Sequence, residues 1–197
     1  MPKLSIVLPI HDMKGGAEFL WDSINALTEQ TFQDFEIIIT KAGLMAKNTN
    51  EGIKKARGEY IKVLYLDDRL AHKNALQEIV DALDADEEAM WLITAVDNNP
   101  HPYLTDDIEK GNNKLGSPSA LTIVNQKSEN LYFDENMSFL LDCDYYKRMR
   151  EKFGDPIILD EQPGVIMGIG DHQVTNLLTD DEKFEEFKYM NSKYETH

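Results

Sequence analysis

The first half of the chain alternates compact apolar runs with stretches of helical spacing. Leu4-Ser5-Ile6-Val7-Leu8, stopped by Pro9, predicts a buried strand, and residues 11–16 a loop. Leu20, Ile24 and Leu27 then recur at helical spacing, with polar Asp22, Ser23, Glu29 and Gln30 between them. Phe35-Glu36-Ile37-Ile38-Ile39-Thr40 predicts a second strand, and residues 48–57 a short helix closed by Gly58. Residues 58–70 predict a third strand that runs into two adjacent carboxylates, Asp67 and Asp68. Leu76, Ile79, Val80 and Leu83 form an i, i+3, i+4, i+7 stripe, and residues 90–96 a fourth strand.

This β-α-β-α-β-α-β order predicts an α/β fold with a mostly parallel central sheet, right-handed crossovers and helices on both faces. Residues 97–119 change texture to Asn, Pro, Gly, Asp and Ser, which predicts a long loop of the functional or mobile kind. Beyond it, residues 120–125 regain strand character and residues 142–153 predict a helix ended by Gly154. The Gly-rich residues 164–170 predict a strand leading to a turn. Residues 180–194 predict a charged helix with Phe184, Phe187 and Met190 along one side.

A length of 197 residues suits one domain with a proper core. The charge balance narrows the partners. With 36 acidic against 20 basic residues the net charge is −16, which repels nucleic acid and anionic lipid. An anionic small substrate would need a cation to offset that field. The single cysteine, Cys143, excludes an internal disulfide and suits a reducing compartment. The N-terminal apolar segment reads as a strand rather than a signal peptide, and no run of about 18 apolar residues predicts a membrane span. The expected location is the cytoplasm, with no integral membrane segment.

Carboxylates at the carboxyl end of a strand, beside the crevice of an open α/β sheet, are well placed for a divalent metal. By itself an Asp-Asp pair reads more readily as a solvated loop after a buried strand.

Several ordered stretches sharpen that choice. They are Leu4-Ser5-Ile6-Val7-Leu8-Pro9-Ile10-His11-Asp12; Asn50-Glu51-Gly52-Ile53-Lys54-Lys55-Ala56-Arg57-Gly58-Glu59-Tyr60-Ile61; Leu66-Asp67-Asp68-Arg69-Leu70; and Leu141-Asp142-Cys143-Asp144-Tyr145-Tyr146-Lys147-Arg148. In this order they resemble the family 2 glycosyltransferases, inverting enzymes of the GT-A fold. The resemblance implies one GT-A type, Rossmann-like domain over residues 1–197, with a nucleotide-sugar half (1–96) and an acceptor and catalytic-base half (97–197). It also implies a sugar moved from a nucleotide diphosphate donor, UDP-linked by expectation, to a carbohydrate or other hydroxyl acceptor with Mn²⁺ or Mg²⁺ present. The cation would neutralise the charge that develops on the departing diphosphate.

Residue by residue, the last Asp of the family's Asp-x-Asp metal motif matches Asp67, with Asp68 as its neighbour. An alternative register uses Asp67 and Asp68 as the pair. The resemblance makes Asp142 the general base, a role that can coexist with capping a helix. It makes His172 a metal or phosphate ligand on a late loop. Pro9, His11 and Asp12 correspond to the nucleotide loop after the first strand, and Asn50 to the Asn that opens the family's motif before the metal strand. Lys41 and Lys47 offer local positive charge, and Asn112, Asn113 and Ser117 on the long loop suit sugar hydroxyls. Asp144 reads as structural or acceptor-binding.

The chain departs from the family pattern at Lys41, Tyr65 and Leu141, each standing where the family has a carboxylate. Those departures support a second class, a non-catalytic sugar-nucleotide binding or scaffold protein. A third, a nucleotidyltransferase, has only the faint loop Asp12-Met13-Lys14-Gly15-Gly16 in its favour.

Overall fold

A computed structural model describes residues 1–171 and 173–194. In order, the elements are β1 (Leu4–Pro9), α1 (Gly16–Thr28), β2 (Phe35–Thr40), α2 (Met45–Lys55), β3 (Tyr60–Val63), β4 (Arg69–Leu70), α3 (Ala75–Ala85) and β5 (Trp91–Thr94). There follow β6 (Leu121–Val124), α4 (Leu141–Phe153), β7 (Ile157–Leu159), β8 (Val165–Ile166), α5 (Val174–Leu177) and α6 (Asp180–Tyr194). Six strands form one sheet in the order β2-β1-β3-β6-β5-β7. Parallel pairing joins β1 to β2, β1 to β3 and β5 to β7. β6 alone runs against its neighbours β3 and β5. The mixed α/β architecture, with a mostly parallel central sheet flanked by helices, is the one expected.

Burial explains the composition of the strands. All of β1 is buried, as a strand covered on both faces must be, and so it carries a near-continuous apolar run instead of an alternating one. Its one polar residue, Ser5, is fully satisfied. The Ser5 hydroxyl donates to Glu36 at 2.8 Å and accepts the Gly58 amide at 2.8 Å.

Gly58 is not a helix stop, contrary to the sequence expectation. α2 already ends at Lys55, with Ala56 extended. A Cβ on Gly58 would lie 2.6 Å from the Ser5 nitrogen, so glycine is needed there for close backbone approach.

The third predicted strand divides. β3 belongs to the central sheet, whereas β4 leaves it to pair antiparallel with β8, Arg69 opposite Ile166 and Leu70 opposite Val165. The intervening turn, residues 64–68, carries Asp67 and Asp68 at the carboxyl end of β3. The β4–β8 ladder brings the Gly-rich segment against that turn. A Cβ on Gly168 would lie 2.4 Å from the Asp67 carbonyl oxygen.

The long loop is largely as expected, interrupted by short 3₁₀ turns at Ile108–Lys110 and Pro118–Ala120. α4 packs on the sheet through buried Tyr145, Tyr146 and Met149, with Trp91 stacked on Tyr146 at 5.8 Å between ring centres. α6 binds the chain before and within α4. Glu186 accepts the amides of Ser138, Phe139 and Leu140 at 2.8, 2.8 and 2.9 Å, where those donors have no partner within the helix. Among the described residues, no helix is long and apolar enough to cross a membrane.

Candidate active site

The carboxyl end of β3, the Pro118–Ala120 turn, the start of α4 and the segment that ends in α5 surround one open cleft of about 150 Å³. Asp67, Asp68, Asp142, Tyr65 and Ser117 all line it. A chain separation of 75 residues or so between β3 and α4 is thus closed by the fold, and the two acidic motifs singled out in the sequence face one space.

Asp142 sits in the first turn of α4, where an acidic side chain complements the helix dipole. One carboxylate oxygen accepts the Cys143 amide at 2.7 Å and the other accepts the Asn113 side-chain amide at 2.7 Å. Burial raises its pKa above the usual carboxylate range, and these donors oppose the rise. The result is a fixed carboxylate more basic than an exposed one. The N-cap position itself is Leu140 and has no side-chain cap bond, so Asp142 is a first-turn residue that lines the cleft and not the cap expected of it.

The two carboxylates after β3 have different surroundings. Asp67 is half-buried at the cleft wall. Asp68 is 2 % exposed, and its carboxylate accepts the Gly168 amide at 2.8 Å. Burial, and next the charge of Asp67, push its pKa up to about 7 against the pull of the Ser119 hydroxyl, the Gly168 amide and Lys62. Lys62, in the middle of β3, is wholly buried and donates to the Ser119 carbonyl. Burial pulls its pKa down to about 7, with the Asp68 carboxylate acting in the other direction. A lysine inside an apolar strand was the sequence signal for this buried pair.

Beside the cleft lies a second, wider hollow of about 490 Å³, lined by His11, Asp12, Met13, Lys14, Asp171 and Leu177. Its wall is shared: Asp171 and Leu177 face the hollow, while Gln173, Val174 and Thr175 face the cleft. Lys41 is exposed and reaches Asp12 at 2.7 Å, so the two charges on this rim partly cancel.

The remaining expected site residues separate into two groups. Asn113 and Ser117 are at the cleft, Asn113 through its bond to Asp142 and Ser117 as lining. Pro9 is a buried strand end, and Lys47 is exposed on α2; neither is among the residues lining the cleft or the hollow. Asn50 is 2 % exposed and spends its amide on the Phe133 backbone, donating at 2.9 Å and accepting at 2.8 Å. Asn112 donates to Asp107 at 2.8 Å within the long loop. His172 lies outside the described residues.

The cleft lining also includes Met45, Ser138, Phe139, Met167 and the 173–175 segment, which the sequence did not single out. Their contribution depends on how distant loops meet, and no local pattern announces that.

Among the described residues, no group of three His, Cys, Asp or Glu side chains is placed to hold a metal ion by itself. A site of one carboxylate, Asp67, fits a Mg²⁺-like cation only if substrate phosphates complete the shell, which is the usual way such ions are held at phosphate sites.

Neither a protein-family model nor a curated protein matches the sequence. Solved structures do resemble the fold. S. aureus TarS 1-349 in complex with UDP-GlcNAc aligns with a TM-score of 0.69 at 15 % identity, over 96 % of this chain and 66 % of that one. Its complex with UDP gives 0.68 at 15 % identity, over 95 % and 64 %. The mannosyltransferase PcManGT from Pyrobaculum calidifontis, in complex with GDP-Man and Mn²⁺, gives 0.62 at 10 % identity, over 87 % and 58 %. The chain therefore spans about three-fifths of the length of these solved chains, and at such identities the likeness is one of fold.

Proposed function

We propose that this protein is a glycosyltransferase that binds a nucleotide diphosphate sugar across the hollow and the cleft and passes the sugar, with inversion, to a hydroxyl acceptor. The observation that carries the reading is the meeting of Asp67 and Asp142 in one cleft, on a fold shared with structures solved in complex with UDP-GlcNAc and GDP-Man.

The hollow beside His11 and Lys14 takes the nucleotide, and the cleft takes the sugar. Residues 1–96 then form the donor half, and residues 97–197 supply the base and the acceptor side. Asp142 accepts the proton of the acceptor hydroxyl as that oxygen bonds to the anomeric carbon. The bond from that carbon to the diphosphate oxygen breaks, and its electron pair leaves with the diphosphate. A raised pKa strengthens Asp142 as a base, and the Asn113 amide fixes the orientation of its carboxylate. Asp67 is the side chain that would hold a Mn²⁺ or Mg²⁺, and the cation would supply charge neutralisation at the leaving group. That also answers the net charge of −16, which otherwise opposes an anionic donor.

A non-catalytic sugar-nucleotide binding protein is the second reading, favoured by Tyr65 where a carboxylate was expected and by the Lys41–Asp12 ion pair on the nucleotide rim. Calorimetric titration of wild type and Asp67→Asn with UDP-glucose and GDP-mannose, with and without Mn²⁺, tests the binding common to both readings. Binding that tightens with Mn²⁺ in wild type and loses that dependence in the variant supports the site. Absence of binding to either donor removes it.

A further inference from the structure

The direction of β6 matters at the cleft. Because β6 runs antiparallel to β3, with Lys62 opposite Thr122, the chain that enters β6 lies at the carboxyl end of β3, beside Asp67. A parallel strand would have its entry at the other end of the sheet. That entry is the turn of residues 117–120, whose Ser117 and Pro118 line the cleft.

Hydrogen bonds from this turn run in two directions. On the Asp67 side, the Ser119 hydroxyl accepts the Tyr65 amide at 2.8 Å and the Ser119 carbonyl accepts Lys62 Nζ. Tyr65 lies beyond Val63, the last residue of β3, so its amide has no place in the strand ladder. Ser119 is wholly buried, and a buried amide that lost this acceptor would go unpaired. The turn then closes on itself: the Asp68 amide donates to the Tyr65 carbonyl at 3.0 Å, and the buried Ser23 hydroxyl of α1 donates to the Asp68 carbonyl at 2.6 Å. Asp67 therefore sits in a turn pinned at its start by Ser119 and at its end by Ser23.

On the Asp142 side, the buried Tyr146 donates its hydroxyl proton to the Ser117 carbonyl at 3.0 Å. Tyr146 follows Asp142 by about one turn of α4, on the same side of the helix. The two attachment points belong to one unit, since the Ser117 hydroxyl accepts the Ser119 amide at 3.2 Å and the Ser117 carbonyl also accepts the Ala120 amide at 2.9 Å.

We propose that residues 117–119 are a spacer that sets the separation of Asp67 and Asp142, with Ser119 the positioning residue for Asp67 and Tyr146 the positioning residue for Asp142. The proposal rests on the reading of the cleft as the donor site with Asp142 as base. Inverting transfer needs the acceptor hydroxyl at one carboxylate and the departing diphosphate at the other to stand in line through the anomeric carbon. The separation of the two acids is then what a rigid bridge has to hold. They lie on different elements, so neither motif fixes it alone. Ser119 and Tyr146 are both fully buried and act through the acids, without contact to the substrate.

The test compares wild type with Ser119→Ala, Ser23→Ala and Tyr146→Phe. UDP and GDP are titrated with and without Mn²⁺, nucleotide release from UDP-glucose and GDP-mannose is timed, and urea unfolding reads the stability of each variant. Ser119→Ala should weaken the Mn²⁺-dependent part of nucleotide binding about 5- to 10-fold and leave metal-free binding unchanged. Ser23→Ala frees the other end of the same turn and should reproduce that loss, which keeps the claim testable if Ser119→Ala does not fold. Tyr146→Phe should leave nucleotide binding and its Mn²⁺ dependence as in wild type and slow release about 10- to 100-fold. Variants that lose stability yet keep wild-type Mn²⁺ dependence and release would reduce the turn to a structural support and overturn the proposal. Parallel loss of both properties in all three variants would overturn the division of roles. Wild type that binds neither nucleotide, or releases none from either donor, instead overturns the proposed function, and the inference falls with it.

Discussion

The Asp68 carboxylate accepts the amide of Gly168 at 2.8 Å and so ties the turn after β3 to the segment that walls the cleft. Gly168 can donate there because it has no side chain. A Cβ would stand 2.4 Å from the Asp67 carbonyl oxygen and 2.7 Å from the Asp67 Cβ, neither of which can yield. Gly168→Ala is expected to lift the 167–177 segment from the acidic turn and to cost about 1–3 kcal/mol, the usual range for overpacking. Urea unfolding measures the cost. Titration with a sugar nucleotide should show weaker binding than wild type, and unchanged affinity would mean that this wall does not contact the ligand.

Glu186 anchors the other wall. Its two carboxylate oxygens take three amides, those of Ser138, Phe139 and Leu140, immediately before the helix that carries Asp142. Glu186→Gln leaves one acceptor oxygen and turns an NH₂ toward donors. The expected loss is about 2–3 kcal/mol, because charge-assisted bonds to backbone amides are involved. Amide exchange at residues 138–140 should accelerate, and turnover should fall more than donor affinity.

Acid should loosen the same region through Asp134. Burial alone would raise its pKa, but Lys193 of α6 at 2.8 Å and the Asn136 donors outweigh it and hold the carboxyl at about 2. A carboxylate whose folded pKa lies below the unfolded value of 3.8 contributes stability above that value and loses it as the pH falls through 2. The contribution is roughly 2 kcal/mol at neutral pH. In urea unfolding, the stability gap between wild type and Asp134→Asn should therefore be open at pH 6 and close between pH 4 and pH 2.

The elements with strong periodicity were legible in the sequence. β1 and β2 announce themselves as apolar runs, and α3 as a stripe of Leu76, Ile79, Val80 and Leu83, all of them buried. The strand β7 was not, because Ile157-Ile158-Leu159 between Pro156 and Asp160 is too short to carry a period. Nor was the reversed direction of β6, which depends on where the long loop returns the chain and not on the residues of the strand.

At the site, the order of the acidic motifs indicated that Asp67 and Asp142 belong together, and the fold places both at one cleft. The sequence match favoured Asp67 as the ligand with Asp68 as its neighbour; both line the cleft, and burial separates them, since Asp67 is half-buried whereas Asp68 is 2 % exposed and accepts the Gly168 amide. Asn50 shows a limit of the match. Its place beside a glycosyltransferase-like motif suggested a ligand contact, but its hydrogen bonds go to Phe133 and Glu135, more than 80 residues away.

The central claim is sugar transfer with Asp142 as base, and the most direct measurement is nucleotide release. Wild type and Asp142→Asn would be incubated with UDP- and GDP-linked sugars in Mn²⁺, and free nucleotide and donor affinity followed together. Wild type should release nucleotide by transfer or slow donor hydrolysis. Asp142→Asn should bind the same donor with similar affinity and release it at least about 100-fold more slowly, the scale of a lost general base. Release at the wild-type rate by Asp142→Asn, or tight binding without any release by wild type, would contradict the account.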